Sequence, residues 1–203
     1  MKKKARSSED GAREVSLAWW EAARGGVARE LSDLLRKGAE IDDLDENGRT
    51  AAVWAVSRED IDCLKVLVGA GCDVDARDGA DSSDGIGGWT LAMMAVNCDG
   101  GVAELEVLIK AGADLDAVAF EGLSATMAAA GRGNAEALRL LIASGADVEA
   151  RAKDGRCALD EALAQGSPEC VAALSEALAR LEARRLEASL PAGAAPGRAA
   201  PRI

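Results

Sequence analysis

The chain has 203 residues, with 24 Lys and Arg against 35 Asp and Glu, a formal net charge of -11 and no histidine. This charge disfavours nucleic acid and anionic membranes as partners, and the lack of histidine removes the most common general base and metal ligand. Five cysteines without a CxxC pair fit neither a disulfide framework nor a zinc site, and no apolar run approaches the roughly 20 residues of a membrane helix. We therefore expect no metal, no cofactor and no membrane insertion, in the cytoplasm or another reducing, soluble compartment.

The N-terminus begins with Lys2-Lys3-Lys4-Ala5-Arg6, which carries four positive charges. A short basic start of this kind is typical of a solvated terminus. We predict that residues 1–16 are disordered, and we assign them no function.

Glycine then marks a repeat. The stretches GAE at Gly38, GCD at Gly71, GAD at Gly112 and GAD at Gly145 are separated by 33, 41 and 33 residues, and an aliphatic run precedes each. Ten residues after three of these glycines lies another, at Gly48, Gly122 and Gly155, whereas Gly88 follows Gly71 by 17 residues. The sequence therefore contains an internal repeat with one lengthened unit.

One unit is predicted to be a pair of helices. Thr50, Thr90 and Ser124 suit helix N-caps, and the alanines after them favour a thin helix that packs closely. Leu138, Leu141 and Ile142 recur at helical spacing in the second helix, and Gly145 suits the left-handed residue that ends it. Because one such pair cannot bury its apolar face alone, the units must stack into a solenoid.

Two stretches, DENGRTAAVWAV followed by LKVLVGAGCDVDA, and FEGLSATMAAAGRGNAEALRLLIASGADVEA, resemble ankyrin repeats. They match the family patterns D-x-x-G-x-T-P-L-H-x-A and V-x-x-L-L-x-x-G-A-D-V-N-A. The resemblance implies an all-α, ankyrin-like solenoid of helix-turn-helix repeats with hairpin fingers, over residues 17–185. We place its units at 17–44, 45–77, 78–118, 119–151 and 152–185, the last as a cap, and expect Trp19 and Trp20 to close the opposite end of the stack.

The chain departs from the family pattern at two positions. The histidine of the TPLH motif is replaced by Val53, Met93, Met127 and Asp160, so the resemblance implies more reliance on apolar packing and modest stability. The asparagine of the GADVN motif is replaced by Asp75, Asp116 and Glu149, which argues against hydroxylation of an asparagine there.

The late glycine of DGADSSDGIGG places an insertion, residues 79–87, at the tip of one finger. An elongated finger on a rigid scaffold suits binding, and a tolerated insertion without function is the competing interpretation. Asp78, Asp81 and Asp84 lack the alternate-residue carboxylates and the final glutamate of a calcium loop. The glycine cluster at 85–88 follows no strand and is weak evidence for a phosphate site.

The predicted partner-binding residues lie on the fingers. Trp89, Phe120, Leu123 and Val118 are predicted to form an apolar strip, unless Trp89 instead folds back on the insertion. Around this strip we expect a polar rim of Asn47, Arg49, Arg58, Arg77, Glu121, Arg132, Arg151, Lys153 and Arg156. By helical spacing we assign Trp54 to the core, and Met93, Met94 and Met127 to packing.

The last helix is predicted to overrun the repeat. Ser167 and Pro168 suit its start, and leucines at helical spacing continue to Leu186. Its early part caps the solenoid, and its later part extends into solvent or docks on another chain. Residues 186–203 are predicted to be the helix end and a disordered Pro/Ala/Gly tail.

These observations favour a protein-protein interaction module, an adaptor or scaffold that binds through its fingers and concave face, with no small-molecule substrate. A permanent structural subunit docked through the last helix is the alternative. An enzyme using Asp42 with Asp45, or Asp78 with Asp81, is disfavoured because these acids fall in predicted exposed turns without a neighbouring base.

Overall fold

The computed structural model describes residues 2–79, 87–99 and 101–189, with side chains from residue 14 onward. Ten helices form this part of the chain: α1 Lys2–Gly25, α2 Ala28–Arg36, α3 Ala51–Ser57, α4 Ile61–Gly69, α5 Leu91–Asn97, α6 Val102–Lys110, α7 Ala125–Arg132, α8 Ala135–Ala143, α9 Ala158–Gln165 and α10 Pro168–Ser189. Among the described residues, β-structure is limited to three isolated bridges.

The helices form two layers. The odd-numbered helices pack side by side as an inner layer, from α1 against α3 to α7 against α9. The even-numbered helices form the outer layer, and each packs against the inner helix that precedes it. The predicted all-α solenoid is therefore confirmed. The unit boundaries stay a prediction. Each of the first four predicted units contains one outer helix, and α10 continues past the end of the fifth at residue 185.

Short inner helices begin at the predicted caps. The side chains of Thr50, Thr90 and Ser124 each accept the backbone N–H three residues later, at 3.3 to 3.4 Å. The alanines that follow are buried, so neighbouring inner helices approach closely. Val53, Met93 and Met127, which replace the histidine, are also buried, as expected for stacking by apolar contacts.

A ladder of carboxylates joins the loops that follow the outer helices. Three bonds cross from unit to unit, from Asp73 N to Asp42 Oδ1 at 2.9 Å, from Asp114 N to Asp75 Oδ1 at 2.7 Å and from Asp147 N to Asp116 Oδ1 at 2.7 Å. Asp75 and Asp116 occupy the position of the family's asparagine. Either side chain offers an oxygen acceptor, so the acidic residue still performs the hydrogen bonding.

Four fingers connect the units: finger 1 (45–50), finger 2 (77–90), finger 3 (118–124) and finger 4 (151–157). Arg77 Nη1 donates to the carbonyl of Gly88 at 2.5 Å and to that of Val118 at 2.9 Å, which fastens finger 2 to finger 3. A Cβ at Gly79 would collide with the carbonyl of Asn47, so finger 2 also lies directly against finger 1. The tip of the predicted elongated finger, residues 80–86, lies outside the described residues.

The two ends differ from the prediction in one respect. Trp19 is buried and Trp20 packs beside it, but the backbone of residues 2–16, predicted to be disordered, continues α1. Lys, Arg, Glu and Ala are good helix formers, and the docked part of α1 supplies the nucleus for extension. At the other end, Leu174 and Ala177 of α10 are buried, whereas Leu186 is 68% exposed. Residues 190–203, predicted to be disordered, lie outside the described residues.

The ladder generates a stability prediction. Asp75→Ala should lower the free energy of unfolding by about 1 kcal/mol, because the N–H of Asp114 loses its acceptor. Asp75→Asn should retain the wild-type value, since the amide oxygen accepts the same bond. Urea denaturation followed by circular dichroism measures both, with Glu182→Ala on the exposed surface of α10 as control. Equal losses in the Ala and Asn variants would contradict a hydrogen-bonding role.

Candidate partner-binding face

The fingers and the inner helices meet in a shallow cavity of about 310 Å³. Finger 2 contributes Asp78 and Trp89, α3 and α5 contribute Ser57, Met94 and Asn97, and Cys98 follows α5 directly. This re-entrant surface, which we call the concave face, comprises the fingers and the finger-side surface of α3, α5, α7 and α9.

Trp89 is anchored at the edge of this cavity. Its backbone N–H donates to Asp78 Oδ1 at 2.7 Å, and the N–H of Asp78 donates back to the carbonyl of Trp89 at 3.0 Å. The indole is half-buried and packs against the core, while it also lines the cavity. Trp89 thus packs against the core and lines the cavity, whereas the tip of the insertion on which it could fold back lies outside the described residues. Met94 likewise packs against the core and lines the cavity.

The rest of the predicted apolar strip is divided between surface and interior. Phe120 and Val118 of finger 3 are 54% and 48% exposed, whereas Leu123 is half-buried and packs against the core. Lys153 Nζ of finger 4 lies 5.0 Å from the centre of the Phe120 ring and 3.8 Å from Glu121 Oε1. Phe120 therefore presents an exposed aromatic surface with a cation beside it, whereas only part of Leu123 is accessible because it also packs against the core.

Trp54 does not belong to the core, and that prediction was wrong. The indole is half-buried, its Nε1–H donates to Asp45 Oδ2 at 2.9 Å, and the guanidinium groups of Arg49 and Arg24 lie 5.3 and 5.8 Å from the ring centre. Helical spacing alone did not identify the exposed side of α3. Alignment of the repeats supplies the missing signal, because Trp54, Met94, Ala128 and Glu161 are equivalent and all half-buried, and the first three lie between buried neighbours.

Asp45 fixes the position of Trp54. Its side chain is only 1% exposed and accepts the backbone N–H groups of Asn47 at 2.8 Å and Arg49 at 3.0 Å besides the indole N–H. Burial raises the pKa of Asp45, but these hydrogen bonds and the charge of Arg49 outweigh it, so the pKa lies below the ordinary value. The turn was predicted to be exposed. The Asp45 carboxylate is instead buried and ionised, and it holds the turn and the Trp54 indole in place.

The predicted polar rim contains two kinds of side chain. Asn47 and Arg58 are exposed on finger 1 and at the end of α3, and Glu121 is exposed on finger 3, where it pairs with Lys153. The others are engaged within the chain: Arg49 with Trp54, Arg77 with the carbonyls of two fingers, Arg132 with Asp99 at 3.0 Å, Arg151 with the Gly155 carbonyl at 2.8 Å, Lys153 with Glu121, and Arg156 with Asp154 at 2.7 Å and Glu161 at 3.1 Å. Many of these cations therefore hold neighbouring segments together. Sequence patterns give charges but not the acceptors that the fold brings near them.

Two other features are missing from the described part of the chain. No group of three or more Cys, Asp or Glu side chains in the described part of the chain has an arrangement that could hold a metal ion. Nor does any helix there have the length and apolarity required to cross a membrane.

The lowered pKa of Asp45 generates a prediction about acid stability. Asp45→Asn should lower the free energy of unfolding at pH 7 by about 1 to 3 kcal/mol, because its amide NH₂ cannot satisfy all the donors that face it. Ionised Asp45 stabilises the fold above its unfolded pKa of about 3.9, and this contribution is lost as the pH falls through the lower folded pKa.

The difference between wild type and Asp45→Asn should accordingly shrink below about pH 4. Denaturant titrations from neutral to acidic pH measure it, with Glu46→Gln, the exposed neighbour, as control. A constant difference across this range would show that Asp45 does not titrate as inferred.

Comparison with known proteins agrees with this architecture. A family model described as ankyrin repeats (3 copies) matches residues 19–119 and 92–185. An ankyrin repeat domain-containing protein of Stachybotrys chartarum is 35% identical over 114 residues, which are 56% of this chain but only 5% of that relative. Because the matched ranges extend from residue 19 to residue 185, well over half of the sequence, the chain belongs to the ankyrin repeat family.

Proposed function

We propose that the chain is an adaptor or scaffold that binds a partner protein through its concave face and the adjoining fingers. Ankyrin repeats are generally protein-protein interaction modules. The observation that carries the proposal is the cavity that Trp89 and Met94 line, next to the exposed Phe120 and Val118 of the neighbouring finger. Aromatic side chains held rigidly at a concave surface lose little conformational entropy on binding.

The bonds of Arg77 make these two parts one surface. Because its guanidinium donates to a carbonyl of finger 2 and to one of finger 3, the Trp89 cavity and the Val118–Phe120 surface have fixed relative positions. Trp54, beside Arg24 and Arg49, extends the aromatic surface toward the N-terminal units. The exposed Asn47, Arg58 and Glu121 supply polar groups that orient a partner.

The alternative, a permanent subunit docked through the last helix, is favoured by one observation. Leu186 near the end of α10 is 68% exposed. The enzyme alternative has less support, since the family is typically non-enzymatic. Of its candidate acids, Asp42, Asp45 and Asp78 accept backbone N–H groups that build the fold, and Asp81 lies outside the described residues.

The proposal predicts which substitutions weaken binding. Phe120→Ala and Trp89→Ala should each weaken the complex with the partner by about 1 to 3 kcal/mol, because each removes an aromatic surface that becomes buried in the interface. Affinity purification from the native lysate with mass spectrometry identifies the partner, and titration of the purified partner gives the affinities.

Leu186→Ala is the matched control, since it truncates an exposed apolar side chain far along α10. Leu123→Ala is unsuitable as a binding test because Leu123 packs against the core. Circular dichroism establishes that each variant is folded. Unchanged affinity for Phe120→Ala and Trp89→Ala, with loss for Leu186→Ala, would reject the concave face and support the alternative.

A further inference from the structure

A second surface lies on the opposite layer of the molecule, between the outer helices α8 and α10. The groove there has a volume of about 540 Å³, and its floor includes the small side chains of Ala143, Ala173 and Ala177. Its charged lining consists of three arginines, Arg139 from α8 and Arg180 and Arg184 from α10, and one acid, Glu176.

The groove follows from the unequal lengths of the two helices. α8 ends at Ala143, whereas α10 continues to Ser189. Gly145, just after α8, has φ +91° and open space around the position of a Cβ. The side of α10 that carries Arg180 and Arg184 therefore remains open where a longer α8 would have covered it.

The charge of the groove contrasts with that of the chain. Arg180 Nη2 pairs with Glu176 Oε1 at 2.6 Å. Among the described residues, no carboxylate lies within ion-pair distance of Arg139 or Arg184, which leaves a local excess of positive charge on a chain of net charge -11. The position of Arg139 is occupied in α6 by Glu106, which pairs with Lys110 at 3.0 Å, and in α4 by Lys65, so the neighbouring outer helix does not repeat this arginine.

We propose that this groove binds an extended, carboxylate-rich segment of a partner protein. The lining residues run from Ala172 to Arg184 along α10, a rise of about 18 Å at 1.5 Å per residue. An extended peptide of five or six residues, at about 3.3 Å each, has this length. Guanidinium groups match carboxylates in geometry and are weakly hydrated, so spaced arginines favour an acidic peptide over a single small anion.

A structural role for two of the arginines makes a different prediction. Arg180 and Arg184 lie near the end of α8, where a cation stabilises the carbonyl end of the helix. Arg139 lies in the middle of α8 and has no such role. A variant at Arg139 therefore tests binding separately from stability.

The experiment measures fluorescence anisotropy of labelled hexaglutamate titrated with the full chain at physiological salt. The groove variant is R139Q/R180Q/R184Q. The matched control is R36Q/K65Q/K110Q, which removes three exposed cations from α2, α4 and α6. We expect saturable binding by the wild type, about tenfold or greater weakening in the groove variant and much less in the control, and no binding of hexaglutamine. Arg139→Gln alone should also weaken binding without lowering the free energy of unfolding.

Three results would overturn the proposal: no saturable binding of hexaglutamate, equal weakening in the two triple variants, or wild-type affinity in Arg139→Gln. The groove is separate from the concave face, so the outcome is independent of the proposed function. Phe120→Ala should leave hexaglutamate binding unchanged, and loss of binding in that variant would also contradict the groove assignment.

Discussion

The fold depends on contact between successive inner helices, because no unit covers its own apolar face. Alanines such as Ala52, Ala92 and Ala129 are buried between neighbouring helices and keep the layer thin. Short helices of seven or eight residues gain little stability alone, so their caps and their neighbours decide whether they form. The same stacking brings fingers from different units side by side. The concave face therefore exists only in the assembled array, and damage to stacking would also disrupt the surface that we propose for binding.

Several polar contacts fix the positions of side chains and fingers on the concave face. Buried Asp45 holds an indole, and Arg77 holds two fingers, so both act on the shape of the concave face rather than on chemistry. Burial raises the pKa of Cys63 and Cys72 to about 12, and the chain contains no histidine. These two thiols therefore stay protonated over the physiological range, and Asp45, whose pKa lies below the ordinary value, stays ionised. The fold should present the same face over that range.

The sequence predicted the architecture because repetition multiplies weak signals. The caps at Thr50, Thr90 and Ser124, the glycine helix ends and the buried methionines all agree with the structure. The site was less predictable, since the exposure of a side chain depends on neighbouring units. Trp54 and Leu123 illustrate this dependence: both are half-buried, but Trp54, which was assigned to the core, is not part of it, whereas Leu123, which was assigned to the binding strip, also packs against the core. The acceptors of Arg132 and Arg156 also depend on contacts that no local pattern specifies.

The hydrogen bonds of the carboxylate ladder all run the same way, from a backbone N–H of one loop to a carboxylate of the preceding loop. Each loop offers an oxygen to the backbone of the next, and at the last loop Glu149 instead receives both Nη groups of Arg185, at 2.9 and 2.5 Å. Because Asp75 and Asp116 make identical bonds, a whole unit deleted or duplicated between equivalent positions would leave matched partners at the new junction. Internal units could therefore be added or removed without loss of these hydrogen bonds. The C-terminal end of the array is instead closed by Arg185, which lies outside the repeat pattern.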